Sequence, residues 1–342
     1  MTVKEALRLH DDAAILLGFV LKKDPAYRQT GKVFLFSHPE KQLTRKQTKK
    51  FDRLIKSRQE GVPLAYLTGE KEFFGLKFFV NKKVLIPRPE TETLVEIILN
   101  KIRGRPYKKR SPIIEPLKIL DLGTGSGNII VSIARNVMTK PAYRTDRQSH
   151  LRDRHALRAR DRFLFFASDI SKRALAVAKK NARRHQVSAK GGKITFKQGS
   201  LLEPWKNQGF DIIVANLPYG WKEWKNNTSA ETVGLKFEPQ NALFTKKNGL
   251  AIYEKFFEQI AKYYNPPQSP LILRGDETAS TPPLKIRGGR GELLPKLIAL
   301  EFDPRQLQQI KKLAEKFLPA YEIQISKDLS GRPRFLSIFS IS

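Results

Sequence analysis

Cysteine is absent from all 342 residues. That excludes a disulfide scaffold, a thiolate zinc site and a cysteine nucleophile. Histidine is scarce, with five in the chain, which leaves little for a histidine-rich metal site. Acids are outnumbered: 33 Asp and Glu face 64 Lys and Arg, a formal net charge of +31. No apolar run reaches the roughly 18 residues that a membrane span needs. The N-terminal MTVKEALRLHDD places acids where a signal peptide would carry its apolar core, so an intracellular, cytoplasmic protein is expected. What is present suffices for a core: 40% of residues are hydrophobic, too many for wholesale disorder. The length suits two domains or one large one. The charge points to an anionic neighbour, most simply nucleic acid or a ribonucleoprotein, or else to a generally basic proteome.

The chain changes character along its length. Val3, Ala6, Leu7, Ala13, Ala14, Leu16, Leu17 and Val20 recur at helical spacing. Thr44-Arg45-Lys46-Gln47 has the form of a capping box, and Gly61 and Pro63 stop the helix that follows it. Residues 1–70 therefore read as a small all-helical domain. Residues 70–86, EKEFFGLKFFVNKKVLI, are aromatic and β-branched and read as a β-hairpin linking two domains, within a linker of 71–90. A helix starts near Thr91. From residue 117 strand patterns alternate with helix patterns: strands at Lys118–Leu122, Phe163–Ser168, Ile194–Gln198, Asp211–Ala215, Leu297–Phe302, Tyr321–Ser326 and Phe335–Phe339, helices at Ser171–His185, Gly249–Tyr264 and Pro304–Phe317. The alternation predicts an α/β fold with a mostly parallel sheet covered on both faces, closed by an antiparallel pair at its edge. Two segments fit poorly and read as loop insertions: the basic 139–162 and the Pro/Gly-rich 266–294. The first carries a net charge of +5, so the basicity of the whole is not an insertion effect.

Asp121-Leu122-Gly123-Thr124-Gly125-Ser126-Gly127 follows a strand and opens a helix. Such a loop lets backbone approach a ligand closely, but alone it is also an ordinary tight turn. The lysine of a P-loop is missing. Asp169 ends the second strand, where an acid binds ribose hydroxyls in nucleotide-binding α/β folds, typically about 20 residues after the loop. Asp121 and Asp169 are 48 residues apart, or 24 once the 24 residues of 139–162 are set aside. Loop and acid together read as a site for S-adenosylmethionine, with a nicotinamide site as the competing reading.

Asn216-Leu217-Pro218-Tyr219 follows the next strand and should sit at the same sheet edge. It resembles the N-P-P-Y motif of methyltransferases acting on planar amide or amine nitrogens. An amide nitrogen is a poor nucleophile because its lone pair is delocalised. Two acceptors, the Asn216 side-chain oxygen and the Leu217 carbonyl, can take its N–H bonds, orient the lone pair and stabilise positive charge developing on nitrogen. Pro218 restricts Leu217 to an extended conformation, and Tyr219 can pack on the flat substrate group.

With these residues the chain resembles the HemK/PrmC-type release factor glutamine methyltransferases over nearly its whole length. The most specific stretch is 61–96, GVPLAYLTGEKEFFGLKFFVNKKVLIPRPETETLVE, with its I-P-R-P-E-T-E core. ILDLGTGSG, ASDISKRALAVAKKNARRH, the NLPY motif, the FEPQNAL of 237–243 and the DLSGRPR of 328–334 follow in the family's order. The resemblance implies a Rossmann-like class I methyltransferase domain over 91–342 and a helical N-terminal domain that helps hold the release factor. It implies methyl transfer from S-adenosylmethionine to the amide nitrogen (N5) of the glutamine in a Gly-Gly-Gln motif, with no metal. By matching position, Gly123, Thr124, Gly125, Ser126, Gly127, Asp169, Leu201 and Asn216 would bind the cofactor. Asn216, Leu217, Pro218 and Tyr219 would hold the glutamine, with Asn216, Pro218 and Tyr219 as the catalytic group. A monomer is expected, with nonspecific nucleic-acid contact through its basic surface.

The chain departs from the family pattern in Leu217 for the usual first proline, in Ser200 for a frequent Asp, and in both insertions. Glu90 and Glu92 invite an acid–base role or, equally, a role at the start of the helix. Arg88 suits either substrate orientation or an ion pair. Two other functions compete. The spelling N-L-P-Y and the charge also resemble ribosomal RNA adenine N6-methyltransferases, which lack I-P-R-P-E-T-E. A non-catalytic RNA- or ribosome-binding protein on a degenerate methyltransferase fold would not need the intact glycine loop, Asp169 and Asn216.

Overall fold

The computed structural model describes residues 1–22, 31–103, 116–139, 163–187, 193–226, 228–264 and 295–340. The proposed insertions 139–162 and 266–294 lie outside them, apart from the backbone of Thr139. The N-terminal part is built from helices Val3–Leu7, Ala13–Leu21, Val33–Ser37, Arg45–Gln59 and Leu64–Thr68. Thr44 and Gln47 close the expected capping box: the Thr hydroxyl accepts the Gln47 N–H at 3.3 Å and the Gln47 side chain accepts the Thr44 N–H at 2.8 Å. Val3, Leu16, Leu17, Phe34, Phe51, Leu54 and Ile55 meet in a core of their own.

The linker hairpin is shorter than its composition suggests. Strands β1 (Glu70–Phe73) and β2 (Leu76–Phe79) pair through a two-residue turn, Phe74-Gly75, in which both residues have positive φ. Residues 80–86 are not strand. Val80 and Val84 are buried against Ala174 and Val177 of a later helix, so their β-branched side chains serve packing rather than pairing. Asn81 turns the chain there, accepting the Lys83 N–H at 2.9 Å.

The remainder forms a seven-stranded sheet: β3 (Leu117–Leu122), β4 (Phe163–Asp169), β5 (Ile194–Gln198), β6 (Ile212–Asn216), β7 (Leu297–Glu301), β8 (Tyr321–Lys327) and β9 (Pro333–Ser340), in the order β5-β4-β3-β6-β7-β9-β8. The strands from β3 to β7 run parallel, and β9 is antiparallel to both β7 and β8. The fold is a Rossmann-like doubly wound sheet. Alternate side chains feed two cores. Ile119, Ile212, Val214 and Ala299 pack with Leu94, Ile98, Ile130 and Ile133 on one face. Leu120, Leu122, Ile213 and Ile298 pack with Tyr253, Phe256, Phe257 and Ile310 on the other. Strands buried on both faces must be near-continuously apolar, which is why they read so plainly. The chain runs outward from β3 to β4 and β5, then returns to β6 beside β3. That reversal opens a crevice at the C-terminal ends of β3 and β6, where open α/β sheets bind ligands.

Candidate active site

The glycine loop leaves β3 at that crevice. Gly123, Gly125 and Gly127 all have positive φ, but they serve different needs. A Cβ on Gly127 would lie 3.2 Å from Ala178, so glycine there lets the helix Asn128–Thr139 sit close to Lys172–Arg184. A Cβ on Gly123 or Gly125 would meet nothing nearer than 3.5 Å. Those two present bare backbone to a cavity of about 410 Å3. Thr124 and Ser126 turn inward instead. The Thr124 hydroxyl donates to Asp121 at 2.6 Å, and Ser126 bonds Asn128 at 3.0 Å; both are buried. Gly127, Thr124 and Ser126, expected at the cofactor, thus shape the loop without lining the cavity. Burial pushes the Asp121 carboxyl up to about 7, against the bond from Thr124.

Asp169, at the end of β4, faces the loop. Its Oδ2 accepts the Gly125 N–H at 2.9 Å and its Oδ1 accepts the Ser171 N–H at 2.8 Å. Each oxygen keeps acceptor capacity after these bonds. Burial raises its pKa despite both backbone donors. Leu201 lines the same cavity with φ of 50°, its carbonyl taking the Ser168 hydroxyl at 3.2 Å. The Ser200 hydroxyl oxygen accepts from the Lys255 ammonium at 3.0 Å. The walls also include Ile170, Arg173, Phe244 and Ile252, which the sequence reading did not single out. An isoleucine directly after a strand-end acid was the available signal, and the fold leaves Ile170 63% exposed. The cavity joins a polar wall of bare backbone and carboxylate to an apolar one. That donor set fits S-adenosylmethionine: Asp169 would take the ribose hydroxyls, and Leu201 and Ile252 would flank the base.

Asn216, Leu217 and Pro218 line this cavity and also a narrow slot of about 20 Å3, whose other walls are Leu85, Arg88, Tyr219, Trp224, Thr228, Ala242 and Leu243. The loop is firmly held. A Cβ on Gly249 would fall 2.0 Å from the Tyr219 carbonyl, so only glycine lets the chain pass there, and Gln306 caps that carbonyl at 3.0 Å. The Tyr253 hydroxyl has one proton and gives it to the Glu301 carbonyl at 2.6 Å, standing 3.4 Å from the Leu217 carbonyl. Tyr219 is not free to stack over the slot at will: its hydroxyl donates to Glu301 at 3.3 Å and its ring meets Trp224 edge-on at 6.2 Å.

The I-P-R-P-E-T-E segment closes the slot. Arg88 and Glu238, both buried, form an ion pair at 2.5 Å, and Glu238 also accepts the Ile86 N–H at 2.9 Å. One carboxylate from FEPQNAL thereby fixes both the backbone and the side chain of I-P-R-P. Thr91, buried, accepts from the Asn216 side chain at 3.0 Å and donates to Glu301 at 2.7 Å. Burial pushes Glu301 up to about 7, outweighing the Thr91 bond and nearby Arg334. Glu90 and Glu92 stand in the first turns of their helical segments, where acids are favourable, and both also bond other segments. Glu90 accepts Ser229 N–H and hydroxyl at 2.6 and 3.0 Å, and Glu92 accepts the Phe74 N–H at 2.8 Å, anchoring the hairpin turn. Asn181, also unremarked in the sequence, bonds Phe79 and Ser126 backbone, tying hairpin to glycine loop. Among the described residues no cluster of His, Asp or Glu is arranged to hold a metal ion, and no helix is long and apolar enough to cross a membrane.

A second cleft, about 600 Å3, opens between the helical part and the sheet domain, lined by Pro63, Leu64 and Thr68 on one side and Pro87, Arg88 and Glu231 on the other. Arg88 lines both cleft and slot.

Family models match two stretches: a PrmC N-terminal domain over residues 5–69 and a methyltransferase domain over residues 115–276. Among relatives, a release factor glutamine methyltransferase of Flavobacterium psychrophilum is 35% identical over 235 residues, covering 68% of this chain and 70% of its own. One of Coxiella burnetii is 34% identical, covering 77% and 76%, and one of Bacillus subtilis 32%, covering 83% and 78%. The chain therefore belongs to the release factor glutamine methyltransferases, enzymes whose methyl donor is S-adenosylmethionine.

Proposed function

We propose that this chain methylates the side-chain amide nitrogen (N5) of the glutamine in the Gly-Gly-Gln motif of peptide-chain release factors. The observation that carries the reading is the meeting of the cofactor-sized cavity and the narrow slot at Asn216, Leu217 and Pro218. When bound, S-adenosylmethionine supplies an electrophilic methyl on a positively charged sulfur. The chain binds and orients. Gly123, Gly125, Asp169 and Leu201 hold the donor, while Thr124, Ser126 and Gly127 shape the loop. On the slot side, Asn216 Oδ1 and the Leu217 carbonyl accept the two N–H bonds of the glutamine amide. This turns the nitrogen lone pair toward the cavity and places two oxygens against the positive charge that grows on nitrogen. The acceptor at 217 is a backbone carbonyl, so leucine in place of proline keeps the chemistry; Pro218 still holds that residue extended. Tyr219 walls the slot. The surplus proton leaves to water after transfer, with no covalent intermediate.

The cleft between the helical part (residues 1–70) and the sheet domain (91–342) shares Arg88 with the slot, which supports it as the approach for the release-factor loop. We read the enzyme as a cytoplasmic monomer whose net charge of +31 favours nonspecific nucleic-acid contact beside its protein substrate. The test is methyl transfer from labelled S-adenosylmethionine to a purified release factor, its Gly-Gly-Ala variant and ribosomal RNA. Label is expected on the Gly-Gly-Gln protein and on neither of the others. Label on RNA alone would move the chain to adenine methylation.

A further inference from the structure

Asn216 can serve an amide substrate in one orientation only. Its side chain is nearly symmetric in shape but opposite in polarity at its two ends, and a half-turn about the last torsion exchanges oxygen for NH2. With the oxygen toward the slot, the substrate N–H finds an acceptor. With the NH2 there, donor faces donor.

We propose that Thr91 and Glu301 are positioning residues that set this polarity, holding the Asn216 oxygen toward the substrate nitrogen; this deepens, and rests on, the glutamine reading above. A hydroxyl has one proton. The Thr91 proton goes to Glu301 Oε2 at 2.7 Å, since an ionised carboxylate only accepts. Thr91 Oγ1 is thereby left as an acceptor toward Asn216, and it takes an N–H from Asn216 Nδ2 at 3.0 Å. Flipping the amide would set Asn216 Oδ1 against a lone pair in a dry environment, where an unmet polar contact is costly. Thr91 is 1% exposed and Glu301 fully buried, so water cannot substitute for either.

The relay is anchored at its far end. Glu301 pairs in register with Asn216 across β6 and β7, and its carbonyl receives the Tyr253 hydroxyl. The groups facing its carboxylate are Thr91 and Glu90 from the turn before the helix Glu92–Arg103, Tyr219 from the loop after β6, and Arg334 from β9. Arg334 in turn bonds Asp328 at 2.8 Å. The I-P-R-P-E-T-E segment and the C-terminal DLSGRPR, distant in sequence, thus converge on the orientation of one amide. Protonation of Glu301 would let it donate to Thr91, removing the obligatory direction. Turnover should therefore fall as pH drops through the Glu301 titration.

The experiment compares Thr91→Val, Thr91→Ser and Glu301→Gln in the full chain. Thr91→Val keeps shape without the hydroxyl, and we expect kcat on the release factor to fall about tenfold or more, with cofactor Kd unchanged. Thr91→Ser should restore most of it. Glu301→Gln, whose amide can donate to Thr91 as the protonated acid can, should lower kcat toward that of Thr91→Val and remove the acidic limb of the pH profile. A second readout needs no substrate. The Asn216 side-chain NH2 resonances, assigned by their loss in Asn216→Asp, should be protected from exchange in wild type and Thr91→Ser but not in Thr91→Val. The proposal is overturned if Thr91→Val keeps full kcat, if valine and serine variants lose activity equally, or if the NH2 protection is the same in all. A wild-type chain inactive on the release factor would instead overturn the glutamine reading, and the NH2 exchange would still decide the relay.

Discussion

The two walls of the active site are built differently. On the cofactor side, the contacts come from strand ends and the turns that follow them: the glycine loop after β3, Asp169 and Ser171 after β4. Asp169 reaches its neighbours through backbone N–H groups at 2.8 and 2.9 Å, so the wall depends on main-chain geometry more than on distant side chains. On the substrate side, the slot needs I-P-R-P-E-T-E, Asn-Leu-Pro-Tyr, Glu238 and Glu301, tied by side-chain bonds that span 150 and 210 residues. A wall held through main-chain groups keeps its fold when a side chain is lost, even where ligand affinity falls. A wall made from long-range buried polar pairs does not, because each lost partner leaves another group unsatisfied.

The sharpest way to break that contrast is Glu238→Ala. It strands Arg88 in a buried site and frees the Ile86 N–H, and removing one member of a buried pair costs about 3–5 kcal/mol. Thermal unfolding should show a large loss, while cofactor affinity, measured on the folded fraction, changes little. Equal loss of affinity would show the two walls to be one cooperative unit. Next in size is Asn216→Ala. Losing an oriented acceptor that acts on developing charge should reduce kcat about 100- to 1000-fold, and isothermal titration should find cofactor binding preserved within a few-fold. A matching loss of binding would assign Asn216 to cofactor retention.

Asp169→Ala should act in the mirror sense. Charge-assisted bonds of about 1.5–3 kcal/mol correspond to roughly 10- to 100-fold in cofactor Kd, with kcat at saturating cofactor largely kept. Unchanged affinity would remove the ribose role. The smallest effect belongs to neither wall. Gln47→Ala opens the capping box of the helix Arg45–Gln59 and should lower stability by about 1 kcal/mol, read as a small shift in Tm with methyl transfer unaltered. A change in transfer rate there would couple the helical part to the chemistry.

These differences also explain what could be read in advance. The strands of the sheet stood out within one or two residues of their observed ends; in β3, β6 and β7 this is because burial on both faces demands apolar runs. The same apolar signal misled at 80–86, where Val80 and Val84 pack against a helix instead of pairing. The glycine loop and Asn216–Tyr219 were legible because each sets particular residue types at fixed spacing directly after a strand. Thr124 and Ser126, although inside the motif, turned out to bond inward, since a loop motif does not say which way each side chain faces. Glu90 and Glu92 were ambiguous for a related reason: their partners, Ser229 and Phe74, are remote in sequence.

By itself, the order of residues determined the doubly wound sheet, the two motifs at its C-terminal edge and the chemistry they suit, because periodicity, turn residues and functional groups are local properties. Only the tertiary structure decided which acids are structural clamps and which side chain sets the polarity of Asn216. Those roles depend on burial and on partners brought together from distant segments, and a carboxylate that is harmless in water becomes decisive once the fold removes the water around it.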